Sequence, residues 1–313
     1  MSNVKVAVIG CGYWGKNLVR NFAELGALGA IVDADEANVQ KLSLTYSVPA
    51  LSFEDVLADN AIDALVVAAP AEIHADIAIK GFAAGKHVYV EKPIALSVAD
   101  AEAAKLAGEK AGKVLMVGHL LQYHPAFEKL LAMVKAGDLG KINYAYSHRL
   151  SLGKFRIEEN VLWSFAPHDV SMILALFGEE PIKAASSGGA FVTDGVEDEC
   201  RLDMQFPSGG RAHIFASWLH PFKEQRLTVV GDKAMAVFED SAQGQEKLRL
   251  YRHTIDTSGY APVPTKAECE YIEFDDGEPL KRECQHFLDA CAGKAKPRTD
   301  GKEGIAVLKV LTA

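Results

Sequence analysis

The sequence predicts an α/β fold in two parts: an N-terminal doubly wound parallel sheet, then a second α/β part whose strands form an antiparallel sheet. Three observations predict it. An apolar run, Val4 to Ile9, breaks into Gly10-Cys11-Gly12-Tyr13-Trp14-Gly15 and then into a helical pattern, the G-x-G-x-x-G arrangement of a βαβ unit that holds a dinucleotide. Helical and strand patterns alternate through residue 119, as in a parallel sheet with helices on both faces. Beyond residue 142, several segments alternate apolar and polar residues with period two, as strands with one packed face do.

Each element follows in order. Gly10 permits the tight turn, Gly12 lets backbone approach a pyrophosphate, and Gly15 lets the helix pack closely on the strand. The amides of the first helical turn, after Tyr13 and Trp14, then face the anion. Leu18, Val19, Phe22 and Leu25 repeat at helical spacing, and Gly26 is placed to end that helix. A second strand, Leu28 to Val32, delivers Asp33, about twenty residues beyond the glycines, where a carboxylate accepts from a ribose 2′-hydroxyl and repels a 2′-phosphate. NAD is therefore expected rather than NADP, with Asp35 and Glu36 able to share the ribose. Ala64 to Ala69 reads as a strand buried on both faces that stops at Pro70. A helix from His74 buries Ala75, Ala78, Ile79 and Phe82, Gly85 ends it, and His87 to Val90 forms the next strand. Ser97 with Asp100 suggests a helix cap, and Lys113 to His119 a further strand. A connecting helix centred on Phe127 to Val134 leads to strands at Ile142–Leu150, Cys200–Phe206, Arg211–Trp218, Arg226–Val230 and Met235–Phe238, with a last helix over Gly304–Ala313.

Length and composition set the bounds. At 313 residues two domains are expected, a dinucleotide-binding domain at 1–120 and a substrate-binding domain at 121–313. With 49% hydrophobic and 24% charged residues the chain reads as globular. The sequence contains no uncharged apolar stretch of about eighteen residues, so no membrane span is expected. Met1 to Lys5 does not begin a secretory signal, because the apolar run after it is a strand's length. A cytoplasmic location is the default expectation. The formal charge of −9 argues against a broad nucleic-acid surface. Five scattered cysteines without a C-x-x-C pair suggest neither a disulfide framework nor a metal site.

Ligands of open parallel sheets lie beyond the carboxyl ends of the strands, so residues there carry most weight. After the third strand come Ala69 and Pro70; after the fourth, Glu91-Lys92-Pro93. Pro93 disfavours helical geometry at Lys92 and is itself a candidate cis-proline, either of which turns the chain and points Lys92 into the cleft. A lysine beside a nicotinamide and a hydroxyl donates hydrogen bonds, or acts as base once desolvation lowers its pKa. The second candidate is Trp163-Ser164-Phe165-Ala166-Pro167-His168-Asp169, followed by the buried stripe Val170, Ile173, Leu174 and Phe177. That pattern places His168 and Asp169 at a helix N-terminus, where the dipole favours an anionic Asp169 and a neutral, proton-accepting His168. Asp169 then either stabilises the helix start or orients His168.

With these residues in place, the sequence resembles the Gfo/Idh/MocA family of sugar oxidoreductases, over nearly its whole length. The resemblance rests on the glycine motif, Ala68-Ala69-Pro70 with His74, Ala84-Gly85-Lys86-His87-Val88 leading to Glu91-Lys92-Pro93, Val117-Gly118-His119 with Pro125, and His168-Asp169. It implies a Rossmann domain followed by an α/β domain with a large, open, mostly antiparallel sheet that forms the oligomer interface, in a homodimer or homotetramer. It also implies that Lys92 and His168 are active-site residues and that Glu91 and His74 lie near the nicotinamide. One departure stands out: many members carry an aspartate four residues before the histidine, and here that residue is Ser164, which cannot serve as an anionic base near neutral pH. His168 or Lys92 is left to take the proton. The Leu162 to Asp169 variant is similar to members acting on nucleotide-linked sugars, especially those oxidising C3 of a UDP-N-acetylglucosaminuronate in surface-polysaccharide biosynthesis. Tyr123, His124, Arg149, Lys154, Arg156 and Asn160 flank the inferred cleft, with Trp163, as candidate donors to phosphate or carboxylate groups. The alternatives are a dehydrogenase of a free sugar or cyclic polyol, and a non-catalytic dinucleotide-binding regulator.

Overall fold

The parallel sheet forms because its strands are apolar on both faces and are separated by amphipathic helices. The computed structural model describes residues 4–313; Met1 to Asn3, part of the segment in which no secretory signal is expected, lie outside the described residues. In chain order the first elements are β1 (Val6–Ile9), α1 (Gly15–Glu24), β2 (Leu28–Val32), α2 (Glu36–Tyr46), α3 (Phe53–Ala58), β3 (Ala64–Val67), α4 (His74–Ala83), β4 (His87–Glu91), α5 (Val98–Ala111) and β5 (Leu115–Gly118). The strands pair in parallel in the order β2-β1-β3-β4-β5. The expected cap of α5 is present: Ser97 Oγ accepts from the Asp100 amide at 3.1 Å. Gly112 closes the same helix in the left-handed region.

The second sheet includes longer strands of alternating burial. It follows α6 (Pro125–Ala136) and comprises β6 (Ile142–Leu152), then after α7 (Val161–Phe177) β7 (Lys183–Gly189), β8 (Glu199–Gln205), β9 (Arg211–Ser217), β10 (Leu219–Gly231), β11 (Met235–Glu239), β12 (Leu248–Tyr251) and, beyond a small hairpin of β13 (Thr254–Asp256) and β14 (Val263–Thr265), β15 (Cys269–Tyr271). The order is β15-β12-β11-β10-β6-β9-β8-β7, antiparallel except for the parallel pair β6 and β9. Ala145, Ser147 and Arg149 of β6 are buried, whereas Tyr144 is exposed and Tyr146 and His148 are half-buried. Stacking joins the latter face: Tyr146 lies 5.5 Å from the His213 ring and 6.4 Å from Tyr144. Among the described residues no helix is long and apolar enough to cross a membrane.

The chain does not divide as the expected 1–120 and 121–313. Two helices follow the large sheet, α8 (Pro279–Cys291) and α9 (Gly301–Leu311), and Gly277–Lys309 belongs to the same compact unit as the residues up to Tyr123. The other unit comprises His124–Asp276 with Val310–Ala313. The physical reason is apolar burial: Leu280, Cys284, Phe287 and Leu288 of α8 sit in one core with Val8, Leu18, Phe22 and Tyr89. Phe287 meets Phe22 edge-on at 6.4 Å and Tyr89 at 5.7 Å. Glu278, at the start of α8, pairs with Arg20 of α1. Full burial of such side chains contributes about 1.5–3 kcal/mol each.

Candidate active site

The candidate residues fall into two groups, one in each unit. In the first unit, the glycines form the cradle that the motif requires. Gly10 has φ +89°, and a Cβ there would lie 2.7 Å from the Ala68 and Ala69 backbone. At Gly15 a Cβ would lie 1.9 Å from the Gly10 carbonyl oxygen, whereas at Gly12 it would meet nothing within 4 Å. Two glycines thus allow close packing, and the third leaves open space. No side chain caps α1 and no carboxylate occupies its first turn among the described residues, so its N-terminus keeps its preference for an anion. Tyr13 is exposed, its ring 5.2 Å from Lys16 Nζ.

Asp33 is half-buried at the end of β2 and held from two sides. The Cys11 amide donates to Oδ2, and the Asp35 amide to Oδ1 at 2.9 Å. Asn38 reaches back to the Cys11 carbonyl at 2.9 Å. The Asp35 carboxylate accepts from the Ala37 and Asn38 amides as the cap of α2. Burial, then the Asp33 charge, pushes the Cys11 thiol up to about 12. Cradle, uncapped helix start and oriented carboxylate together fit NAD.

Around the end of β4 the chain folds tightly. The Lys92–Pro93 peptide is cis. Glu91 is buried, and Oε1 accepts from Trp14 Nε1 at 2.6 Å. Burial pushes the Glu91 carboxyl up, opposed by the Trp14 hydrogen bond and the Lys92 charge. Lys92 is half-buried. His74, buried at the start of α4, has ring nitrogens 2.8 Å from the Pro93 carbonyl oxygen and 2.7 Å from that of Ala69. It thereby ties the loop containing Pro70 to the one that follows Lys92.

Tyr123 is not at a cleft. It is 1% exposed, its hydroxyl 3.0 Å from Thr299 Oγ1, and burial pushes its pKa well up. The aromatic body fills a core that the sequence motif did not reveal, because Thr299 lies so far along the chain.

In the second unit, α7 begins earlier than expected. Asn160 is its cap, with Oδ1 accepting from the Trp163 amide at 3.1 Å and Nδ2 donating to Glu197 at 2.8 Å. Pro167 lies inside the helix, where it lacks the hydrogen for the carbonyl one turn back. His168 and Asp169 are therefore well within the helix, and the end-dipole argument, which acts only over the first turn, does not apply to them. Asp169 is 1% exposed and takes Arg149 in a two-pronged pair, Nε to Oδ2 and Nη2 to Oδ1 at 3.2 Å. Ser147 Oγ also donates to Asp169. Asp169 is committed to Arg149 and Ser147, and Arg149 is buried rather than available to a phosphate. Ser164 and His168, one turn apart, share a helix face; Ser164 is buried, while Trp163 and His168 are half-buried. Lys154 is exposed, and Arg156 is an exposed partner of Glu159 at 2.8 Å. His124, like Asn160, is a helix cap, its Nδ1 accepting from the Ala126 amide at 3.1 Å.

Sequence reasoning missed Ser147, which only β6–α7 packing brings to Asp169. It also missed Tyr89, although Tyr89 and Glu91 lie two apart on one strand and so share a face. Among the described residues no group of His, Cys, Asp and Glu is arranged to hold a metal ion.

Comparison with known proteins identifies the fold and the family. A family model described as "Oxidoreductase family, NAD-binding Rossmann fold" matches residues 4–119, and the Gfo/Idh/MocA C-terminal domain matches residues 127–237. The chain is 25% identical over 311 residues to the UDP-N-acetylglucosamine 3-dehydrogenase of Acidithiobacillus ferrooxidans, covering 98% of this chain and 95% of that one. A solved structure of that enzyme superposes with a TM-score of 0.86, at 25% identity and the same coverage. The scyllo-inositol 2-dehydrogenase (NAD(+)) of Bacillus subtilis is 27% identical over 248 residues, covering 73% of this chain and 71% of that one. The chain belongs to the Gfo/Idh/MocA family and is an NAD-binding oxidoreductase.

Proposed function

We propose that the protein is a dehydrogenase of a nucleotide sugar, oxidising the C3 hydroxyl of a UDP-N-acetylglucosaminuronate-type substrate in the cytoplasm, for surface-polysaccharide biosynthesis. The end-to-end likeness to a UDP-N-acetylglucosamine 3-dehydrogenase carries this reading. NAD, when bound, supplies the two-electron acceptor. Gly10, Gly12 and Gly15 with the start of α1 receive its pyrophosphate, and Asp33 its ribose. Ala69, Pro70, His74 and Glu91 shape the nicotinamide end. Lys92 donates a charge-assisted hydrogen bond to the sugar hydroxyl, and His168 takes the hydroxyl proton. Ser164 offers a hydroxyl toward the substrate where many family members offer a carboxylate. Trp163, Lys154 and Arg156 are the remaining side chains of this segment that a sugar or diphosphate would meet. The open sheet face with Tyr144, Tyr146 and His213 joins copies into a homodimer or homotetramer. Tyr146→Arg should lower the mass in sedimentation to that of the monomer; an unchanged oligomer rejects that face.

The test of substrate is direct. Purified protein with NAD is offered UDP-N-acetylglucosaminuronate, UDP-N-acetylglucosamine, myo-inositol and free hexoses, and reduced cofactor is followed by absorbance. The uronate should give the highest kcat/KM, with a 3-keto product by mass. His168→Ala and Lys92→Ala should each lower kcat by about 10²–10⁴-fold, the range for general acid–base groups. Preference for inositol would transfer the protein to the polyol reading, and no turnover on any alcohol would favour a dinucleotide-binding regulator.

A further inference from the structure

A line of buried polar groups runs from α8 to the glycine-rich loop. Tyr89 is 0% exposed, and its Oη lies 3.0 Å from Glu283 Oε2 and 3.1 Å from Glu91 Oε1. Glu91 in turn accepts from Trp14 Nε1 at 2.6 Å and from the Lys92 amide at 3.3 Å. Glu283 is 0% exposed, and its Oε1 has no hydrogen-bond partner among the described residues. The line fits because β5 presents Gly118 opposite Glu91. A Cβ there would come within 2.6 Å of Tyr89 Oη and 2.9 Å of Glu91 Oε2.

Counting hydrogens fixes the protonation. A phenol has one hydrogen, whereas ionised carboxylates only accept. Two ionised carboxylates around Tyr89 would leave one contact with lone pairs facing each other inside a dry core, so one carboxyl must hold a proton. Burial raises the Glu91 carboxyl, but its two N–H donors and the Lys92 charge oppose that and favour the anion there over one at Glu283. Among the described residues Glu283 has no N–H donor to its carboxyl, and the groups that shift it or that it shifts, Tyr89 and Glu91 of β4, Cys284 of its own helix, Glu303 of α9 and Tyr123 before α6, include no cation. Burial first, and then the Glu91 charge, pushes the Glu283 carboxyl well up.

We propose that Glu283 is a positioning residue of the NAD site: as a neutral acid it donates to Tyr89, Tyr89 donates to Glu91, and the carboxylate so fixed holds the Trp14 indole and the Lys92 main chain. Helix α8 thus sets the wall of the cofactor loop without touching the cofactor. The inference does not depend on the sugar.

The test compares Glu283→Gln, Glu283→Leu and Tyr89→Phe in the full chain, without sugar. Three readouts apply: NAD dissociation constant, indole emission assigned to Trp14 by difference from Trp14→Phe, and the infrared band of a protonated carboxyl at neutral pH. Glutamine keeps a donor and cannot ionise, so it should hold NAD affinity within about threefold of the parent and keep the Trp14 emission, while removing the carboxylic-acid band. Glu283→Leu and Tyr89→Phe should weaken NAD by about 10–100-fold, as loss of an outer-shell partner does, and shift that emission. No carboxylic-acid band that the glutamine removes would show an ionised Glu283 and overturn the proposal. So would a glutamine variant as weak as the leucine one. Should the leucine variant not fold, Tyr89→Phe, which keeps the ring, decides: parental NAD affinity and emission there reject the chain.

Discussion

Asp33 takes one amide on each carboxylate oxygen, from Cys11 and from Asp35, so its orientation is set by backbone before any ligand arrives. Removing the charge leaves those amides unserved and removes the repulsion of a 2′-phosphate. Asp33→Ser should lower kcat/KM for NAD by about 10–100-fold, corresponding to one charge-assisted hydrogen bond lost, and raise the ratio of NADP to NAD use. Steady-state kinetics with both cofactors checks this, and an unchanged ratio would show that Asp33 does not read the ribose. The residue type and its spacing from the glycines were legible in the sequence, because the motif is local. The fates of Tyr123, Arg149 and Asn160 were not. Their polar groups are satisfied by Thr299, Asp169 and Glu197, partners that no short spacing reveals.

Helix α6 shows how an element's end depends on distant charge. Its cap, His124, has Nε2 3.4 Å from Asp240 Oδ1, and Lys247 Nζ lies 2.9 Å from the same oxygen. Burial raises the Asp240 carboxyl, but hydrogen bonds from His124 and Lys247 outweigh it and hold it well below the usual carboxylate range. A carboxyl depressed in the folded state stabilises fully above its unfolded pKa, about 3.9, and loses that contribution as pH falls toward the folded value. Asp240→Asn should therefore cost about 1–3 kcal/mol at pH 7. In urea unfolding the difference from the parent should narrow as pH is lowered below about 4; a gap independent of pH would contradict the charge argument. Helix α7 gives the complementary lesson. Pro167 invites a helix start at the residues just before His168, since proline suits a first turn. Burial of Val161 and Leu162 and the Asn160 cap instead extend the helix upstream.

At the scale of the molecule, the first unit is discontinuous in sequence. Residues 1–120 lack α8, whose Leu280, Cys284, Phe287 and Leu288 complete their core. A fragment of residues 1–123 should be unfolded or aggregate, whereas the same fragment joined by a short linker to residues 277–309 should unfold cooperatively and bind NAD. Circular dichroism with calorimetric NAD titration distinguishes them; cooperative unfolding of the short fragment would refute the shared core. The parallel sheet, the glycine cradle, NAD binding and the mostly antiparallel second sheet were determined by the sequence itself, since periodicity and turn chemistry are written in near neighbours. Strand β7, with its run of Ala, Ser and Gly, carries no such period, and its place at the sheet edge comes from pairing with β8. Only the tertiary structure decided which buried polar groups serve one another: Asp169 with Arg149 and Ser147, and Glu91 with Trp14, Tyr89 and, through it, Glu283. Those pairings join residues far apart in the chain, where desolvation forces each polar group to find whatever partner packing brings within reach.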